Sequence, residues 1–392
     1  MIRKPNRTRI AFEKPPLGIN TPETLKELAQ RLLQEPRIAV DTESNSLHAY
    51  QEQTCLLQLS IPDNDYLVDP LALDNLDALA PVFASPAIEK VFHAADYDLI
   101  VLQRDYGLHC QQLFDTMWGG RILGWEHVGL GDLLAEHFQL HANKRFQRYN
   151  WGRRPVSTQA VAYARMDTHY LLQLRELELA ELQATGRWAE AQEIFHYLAT
   201  NVQIPTAHTL ETSFWRLKGV HDLNLHEKRM LYRLHLWREK TAQQLDRPPF
   251  KIIGRQRLIA LAQMHARSPK GLQAAGLTEH QARRFGPELL RALREGPQQL
   301  PPYPPEEPRP PQAVINRYQT LHDWRKEVGT GRGVDSDVIL PNATLWELAW
   351  QPPKTLADLL AVPGIGPWRQ EHYGPDLLAL LAAKDSFFNT HY

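Results

Sequence analysis

The sequence predicts an α/β domain over the first 200 or so residues, followed by two small all-α helical domains. Short apolar runs alternate with amphipathic helical segments up to about residue 200, a pattern typical of helices packed on a sheet. After residue 215 the strand signals end, while helical spacing continues. Two of the later segments repeat each other, which indicates a duplicated helical domain.

Composition excludes several classes of protein. The 392 residues suffice for two or three domains, and the formal net charge of −1 limits any nucleic-acid surface to a local basic patch. Two cysteines provide neither a disulfide framework nor a Cys-rich metal site. The polar N-terminus is unlike a signal peptide, and no run of about 18 apolar residues exists. We therefore expect a soluble, cytoplasmic protein with no membrane partner.

The α/β half begins with a helix and then a series of strands. Thr21 can cap the helix, Pro22 suits its first turn, and leucines at helical spacing continue it to Leu33. Helices are also predicted from about Ala95 to Arg104 and from near Ser157. Four apolar runs are predicted to be strands: Ile38–Val40, Thr54–Ile61, Tyr66–Val68 and Lys90–Phe92.

The helical half contains an internal repeat on either side of a proline-rich linker. The segment Phe285-Gly286-Pro287-Glu288-Leu289-Leu290 recurs 88 residues later as Tyr373-Gly374-Pro375-Asp376-Leu377-Leu378. Trp237-Arg238 recurs as Trp324-Arg325 at nearly the same offset. Between the repeats, dense prolines after Leu300 cannot lie inside a helix, so we predict a stiff, extended spacer.

The strongest chemical signal is Asp41-Thr42-Glu43, which directly follows a predicted strand. Residues two apart in a strand point to the same face, so the two carboxylates would repel each other unless a cation lies between them. Hard oxygen ligands favour Mg²⁺ or Mn²⁺. The alternative is a polar strand end with two exposed acids.

Two further acidic motifs have functional and purely structural interpretations. In His93-Ala94-Ala95-Asp96-Tyr97-Asp98, Asp98 could supply a third carboxylate, or the two aspartates could serve the start of a helix. In Tyr163-Ala164-Arg165-Met166-Asp167, a phenol and a carboxylate four residues apart share one helix face. Such a pair can hold a cation and orient a water, or it can be a core residue beside a surface acid.

The order of these motifs resembles the exonuclease superfamily named for its four acidic residues, in its tyrosine-containing branch, and above all the ribonuclease D family. The resemblance extends to Leu57-Gln58-Leu59, Phe114-Asp115-Thr116 and the run containing Lys144, Trp151, Arg154-Pro155 and Tyr163-Ala164. Ala160 departs from the family pattern, which usually has Gln three residues before the tyrosine. The repeats resemble the helicase-and-RNase-D C-terminal (HRDC) domain.

The resemblance implies a domain order. We expect a 3′-5′ exonuclease domain of RNase H-like fold, with a mixed sheet flanked by helices, over residues 1–205. A first HRDC domain should cover residues 216–296, the linker 297–311, and a second HRDC-like domain 312–385.

The resemblance also implies a function. Asp41, Glu43, Asp98 and Asp167 would hold two divalent ions, Mg²⁺ or Mn²⁺, and Tyr163 would orient or deprotonate the attacking water. The expected substrate is RNA with a free 3′ end, from which 5′-mononucleotides are released. The family suggests tRNA precursors, and we expect a monomer.

Contacts with RNA are predicted in and around residues 144–154, which hold five cations and three aromatic residues. Cations pair with phosphates and aromatic rings stack on unpaired bases, so Lys144, Trp151 and Arg154 are predicted to bind substrate. The alternative is a solvated loop that Trp151 anchors to the domain. His48, shortly after the first acidic pair, is predicted from its position alone to touch the terminal nucleotide, whereas His93 is expected to be structural.

Three other functions fit part of the sequence. A DNA 3′-5′ exonuclease of the same superfamily would differ only in its contacts to the 2′-hydroxyl. A catalytically silent RNA-binding scaffold would have no need of the ordered acids. A helical-repeat interaction protein would fit the C-terminal half but not the α/β half.

Overall fold

The computed structural model describes residues 14–141, 144–206, 209–264, 266–305 and 308–388. Contacts group the described residues into two compact units. The first contains the residues up to Glu43, then Thr54–Ile204, then those from Arg309 onward; the second contains Ser44–Gln53 and Pro205–Pro308. None of the described helices combines the length and apolar character that crossing a membrane requires.

A mixed sheet forms the centre of the first unit. Its strands, among the described residues, are β1 Leu17–Ile19, β2 Arg37–Ser44, β3 Thr54–Ile61, β4 Asn64–Val68, β5 Glu89–Phe92 and β6 Leu113–Asp115, in the spatial order β1-β4-β3-β2-β5-β6. Strands β1 and β4, β2 and β5, and β5 and β6 pair in parallel, whereas β3 and β4 are antiparallel. The four predicted strands are present. The sequence did not indicate β1, since three residues carry too little periodicity.

Helices flank this sheet and supply its hydrophobic core. In chain order they are α1 Pro22–Leu32, α2 Ala80–Ala84, α3 Asp96–Tyr106, α4 Thr116–Leu123, α5 Leu130–Phe138, α6 Thr158–His169, α7 Leu171–Ala184 and α8 Trp188–Thr200. Short 3₁₀ turns lie at Pro70–Ala72, Asp77–Leu79 and Lys144–Arg148. The predicted start of α1 is correct, because the Thr21 side chain accepts from the Thr24 amide and Pro22 follows it. The predicted α/β fold class is confirmed.

The remaining helices repeat one pattern twice. After α9 Leu210–Trp215 come α10 Leu225–Gln244, α11 Pro249–Ile252, α12 Arg255–Gln263, α13 Pro269–Ala274 and α14 Glu279–Glu295. The second copy, in the same order of long, short, medium, short and long, is α15 Gln312–Arg332, α16 Ser336–Ile339, α17 Asn342–Trp350, α18 Leu356–Leu359 and α19 Pro367–Phe388. Each copy buries its own leucine-rich core.

The second repeat packs on the α/β half and shares its compact unit. Arg332 donates to both carboxylate oxygens of Glu190, at 2.8 and 2.7 Å, and the Glu190 side chain is fully buried. Arg121 donates to Asp335 and Asp337 at the same interface. These ion pairs join the second repeat to segments that lie far from it in the chain. The domain bounds predicted from the sequence stay a prediction.

Candidate metal centre and active site

Three structural elements bring the predicted acids together. Asp41 and Glu43 lie two residues apart on β2, and Asp167 lies on α6. Carboxylate oxygens of these three residues all lie within 4.8 Å of one another. Asp98, on the first turn of α3, approaches from the side: its Oδ1 accepts from the Thr42 amide at 2.9 Å and from the Thr42 hydroxyl at 2.5 Å.

Burial raises the pKa of every acid in this cluster, and repulsion between the acids adds to it for Asp41, Glu43 and Asp167. Burial is the largest cause throughout, and it raises the pKa of Glu43 to about 9, of Asp167 to about 8 and of Asp98 to about 7. The pKa of Asp41 is also well above its ordinary value, because burial is reinforced by the charges of Asp98, Asp167 and Glu43. Acids this close cannot all ionise without a cation between them.

Neighbouring side chains hold the acids in place. The Gln58 side-chain amide on β3 donates to Asp41 Oδ2 at 3.0 Å, while its Oε1 is buried and has no partner among the described residues. Thr42, between the two acids of β2, fixes Asp98 as described above. Sequence analysis predicted no functional role for either residue, although Gln58 lies in the strand that resembles the family.

Tyr163 lies one helical turn before Asp167 on α6. Its ring packs against Phe146 and Trp151, with ring centroids 5.7 and 6.2 Å away. Burial and the nearby charges of Asp167, Glu43 and Asp41 raise the pKa of its phenol. The phenol and the acids therefore face a common space, as the helical spacing predicted.

That space is a cavity of about 360 Å³. It is large enough for water and part of a nucleotide, and one wall is acidic. Gln147, in the turn Lys144–Arg148, was not singled out from the sequence. The cavity lining includes Asp41, Thr42, Glu43, His93, Gly129, Leu130, Gly131, Asp132, Leu134, Gln147, Tyr163 and Asp167.

His93 and Asp115 lie near the start of α3, the helix that carries Asp98. His93 Nδ1 lies 2.9 Å from the Thr116 hydroxyl, and burial lowers the pKa of His93 to about 4, so the ring is neutral. Asp115 accepts from the amides of Ala94 and Ala95 at 3.1 and 2.7 Å. These amides precede α3, and Ala94 has a left-handed φ of 62°. Asp115 thus fixes the strained turn that delivers Asp98.

Two of the residues predicted to bind substrate, Trp151 and Arg154, contact other parts of the protein instead. Trp151 is 1% exposed and packs among Cys55, Leu56 and Ala164, so its ring presents no face to a base. Arg154 donates to both oxygens of Asp69, at 2.6 and 2.5 Å, and to backbone carbonyls. The predicted stacking by Trp151 does not fit this position, and Arg154 serves to anchor the loop. The alternative interpretation, an anchored loop, describes both residues.

The other two predicted contacts remain predictions. The side chain of Lys144 lies outside the described residues. His48 belongs to the second compact unit, where its Nδ1 lies 3.3 Å from the Lys251 ammonium nitrogen.

Comparison with known proteins identifies the domains. Residues 16–180 match the family model described as 3′-5′ exonuclease, and residues 227–293 and 315–381 each match the HRDC domain model. The resemblance drawn from the sequence motifs, including the duplicated helical domain, is confirmed.

Individual relatives agree with the family models. The chain is 32% identical over 282 residues to the exosome complex exonuclease RRP6 of Saccharomyces cerevisiae, an alignment that covers 68% of this chain and 38% of the yeast protein. It resembles the crystal structure of the catalytic core of RRP6 from Trypanosoma brucei, with a TM-score of 0.63, 27% identity, and coverage of 71% of this chain and 80% of that one.

The structure of Escherichia coli RNase D shares the fold along nearly the whole chain. Its TM-score is 0.63 at 22% identity, and the match covers 94% of this chain and 99% of that one. The chain spans about a third of the length of the curated relatives it matches, 30% and 38% for two of them.

Proposed function

Because the chain joins a domain of the 3′-5′ exonuclease family to two HRDC domains, as ribonuclease D-like proteins do, we propose that it is a metal-dependent 3′-5′ exoribonuclease. The single observation that carries the proposal is the convergence of Asp41, Glu43 and Asp167 within 4.8 Å, beside Asp98 and in one cavity with Tyr163.

The donor set fits divalent cations. Carboxylate oxygens are the ligands that Mg²⁺ and Mn²⁺ prefer. Burial and neighbouring acids raise the pKa of Glu43 and Asp167, and a cation between these acids would favour their ionised forms. Asp41, Glu43, Asp98 and Asp167 would hold two such ions. When bound, they would supply activation of the attacking water and neutralisation of charge at the phosphate.

Other residues of the chain would position the metal ligands, the attacking water and the terminal nucleotide. Gln58 and Thr42 restrain the oxygens of Asp41 and Asp98, so the ligands are in place before a metal binds. The Tyr163 hydroxyl, fixed by the packing of its ring, orients the attacking water within the cavity. Gln147 and the Gly129–Gly131 segment line the cavity where the terminal nucleotide would lie.

The charge of the first HRDC domain supports RNA as the partner. Residues 216–296 contain 17 Lys and Arg against 7 Asp and Glu, a net charge of +10. Residues 312–385 contain 7 against 9, a net charge of −2. Since phosphate contacts dominate nucleic-acid affinity, we assign the non-catalytic RNA affinity to the first HRDC domain. We propose RNA with a free 3′ end as the substrate, with tRNA precursors among its sources. We also propose that the protein is a monomer and is cytoplasmic.

The test uses a 5′-labelled single-stranded RNA and its DNA counterpart, each incubated with the full chain in Mg²⁺, in Mn²⁺ and in chelator. We expect a ladder that shortens from the 3′ end, requires metal, and forms faster on RNA. Asp41→Asn is the control, because it keeps the shape of the ligand and removes its charge.

Other outcomes would change the proposal in defined ways. A faster ladder on DNA would indicate a DNA exonuclease of the same superfamily. Retained RNA binding with no cleavage in either metal would indicate a silent scaffold. A ladder of equal rate in chelator would refute the metal-dependent mechanism.

A further inference from the structure

The helix that carries Tyr163 and Asp167 is clamped on its opposite side by a buried polar cluster. On α6, Arg165 and His169 are four residues apart and share one face, which is opposite to the face of Tyr163 and Asp167. Both Arg165 and His169 bind one carboxylate, that of Asp65 on β4. Arg165 Nε donates to Asp65 Oδ2, and His169 Nδ1 lies 3.0 and 2.9 Å from the two oxygens of Asp65.

The same cluster also contacts the helix from β3. Ser60 and Asp65 are partners in the antiparallel register of β3 and β4, so their side chains lie on the same face of the sheet. The Ser60 hydroxyl donates to Asp65 Oδ1 at 2.7 Å and lies 2.7 Å from the hydroxyl of Thr168, the residue after Asp167. The sheet therefore binds α6 at Arg165, Thr168 and His169.

Burial makes this cluster rigid. Ser60, Asp65, Arg165 and Thr168 are each at most 5% exposed. Burial alone would raise the pKa of Asp65, but hydrogen bonds from His169, Ser60 and Arg165 outweigh it and lower the pKa. A buried carboxylate stays ionised only while hydrogen-bond partners stabilise its charge. Rotation of α6 would remove the partners of Asp65 and is therefore unfavourable.

One face of β3 thus contacts both Asp41 and the helix that carries Asp167. Gln58, two residues before Ser60 and on the same face, donates to Asp41, while Ser60 and Asp65 hold the helix of Asp167. We propose that Asp65 is a positioning residue of the active site: it fixes the rotation of α6 so that Asp167 and Tyr163 are presented to the metal and the substrate. The inference rests on the proposed function for its catalytic consequence.

The test is Asp65→Asn in the full chain. The amide keeps the shape of the carboxylate but offers only one acceptor oxygen to the three side chains that contact Asp65, so α6 loses its fixed rotation. We expect the dissociation constant for Mn²⁺, measured by electron paramagnetic resonance, to rise about tenfold or more, as for residues that orient metal ligands. We also expect kcat on RNA to fall while KM stays near the wild-type value.

Glu89→Gln is the matched control. Glu89 on β5 accepts from Arg175 on α7 through both oxygens, at 2.7 and 3.0 Å, and both side chains are largely buried. The Glu89→Gln substitution also weakens a buried ion pair between a helix and a strand, but the helix is α7 and not α6. We expect it to lower the melting temperature to a similar extent and to leave Mn²⁺ affinity unchanged.

Two results would overturn the inference. One is an Asp65→Asn protein that loses stability as the control does but binds Mn²⁺ like wild type. The other, if Asp65→Asn does not fold, is unchanged Mn²⁺ affinity and kcat in the milder Ser60→Ala, which removes only the bridge between Asp65 and Thr168. Mn²⁺ binding is measured without turnover. A wild-type protein inactive on RNA would therefore refute the proposed function, while the role of Asp65 in positioning α6 could still be tested.

Discussion

At the scale of single residues, the acid cluster makes opposite demands on stability and function. Burial raises the pKa of Asp41, Glu43, Asp98 and Asp167, and repulsion from Asp98 raises the pKa of the other three further. Under the proposed function, the same closeness would let them share divalent cations. Changes at these positions should therefore move activity and metal-free stability in different directions.

Asp167→Asn should reduce RNA hydrolysis by a hundredfold or more, on the order of the loss when a positioned electrostatic group is removed. The melting temperature in chelator should be at least that of wild type, because one repelling charge is gone. Initial rates and thermal unfolding in chelator are the measurements. Activity near wild type would exclude Asp167 from the mechanism.

Tyr163→Phe should cause a smaller loss than Asp167→Asn, roughly tenfold to a hundredfold, since a hydroxyl that positions water contributes less than a metal ligand. Phenylalanine keeps the ring contacts with Phe146 and Trp151, so stability should not change. The kcat of the variant, followed across pH, is the measurement. An unaltered rate throughout the pH range would rule out a catalytic role for the phenol.

The metal-free protein should lose stability as pH rises. A carboxyl group has a pKa of about 4 when unfolded, whereas here the values reach about 7 for Asp98, 8 for Asp167 and 9 for Glu43. The folded state therefore holds more protons, and this contribution to stability, fully present below about pH 4, is lost as pH rises through about 7 to 9. Metal should offset the loss, so the increase in melting temperature on adding Mg²⁺ should grow with pH.

The control for this pH dependence is Asp167→Asn, because other groups titrate as well. The difference in unfolding free energy between variant and wild type, in chelator, should widen in favour of the variant as pH increases. A difference that stays constant with pH would contradict the assigned repulsion.

At the scale of elements, Asp115 joins three pieces of secondary structure. It ends β6, caps α4 by accepting from the amides of Met117 and Trp118, and accepts from Ala94 and Ala95 before α3. Sequence motifs marked the residue only as a strand end. Its importance comes from the meeting of these elements in space.

Asp115→Ala should destabilise the protein by about 3 kcal/mol or more, because buried amides are left without an acceptor. Ser157→Ala is the comparison: among the described residues the Ser157 hydroxyl accepts from the Ala160 amide alone, at the start of α6, and its loss should cost about 1 kcal/mol. Chemical denaturation measures both. Equal losses for the two variants would show that Asp115 is an ordinary cap.

At the scale of the whole molecule, two copies of one domain differ in their use. Charged residues of the second copy form ion pairs with the exonuclease domain. Arg332 pairs with Glu190 of that domain, and Asp335 and Asp337 pair with its Arg121. The first copy carries a net charge of +10 and belongs to the other compact unit. Duplication thus gives one HRDC domain that packs on the exonuclease domain and one whose charge would suit RNA.

Arg332→Ala should destabilise the protein by about 3 to 5 kcal/mol, because it leaves Glu190 buried and unpaired. Arg121→Ala, whose partners Asp335 and Asp337 are 72% and 45% exposed, should cost less than about 1 kcal/mol. Thermal unfolding with limited proteolysis between the domains gives both the size and the place of the loss. If the two variants proved equally stable, the buried pair would not be what fixes the second repeat.

Local patterns in the sequence determined the elements and the chemical character of the site. Apolar runs gave β2 to β5, a capping threonine gave the start of α1, and the spacing of Tyr163 and Asp167 placed both on one helix face. These features depend on neighbours within a few residues, which the sequence displays directly. The internal repeat was visible for the same reason, since it compares one segment with another.

The tertiary structure alone decided which side chains support the site and which domains pack together. Gln58 reaching Asp41, Asp65 clamping α6, and Glu190 receiving Arg332 all join residues that are 17 to 142 positions apart. It also showed Trp151 as a buried support, where its aromatic character had predicted stacking on RNA. Residue type and spacing describe what a side chain can do, but burial and long-range partners determine which of those possibilities it realises.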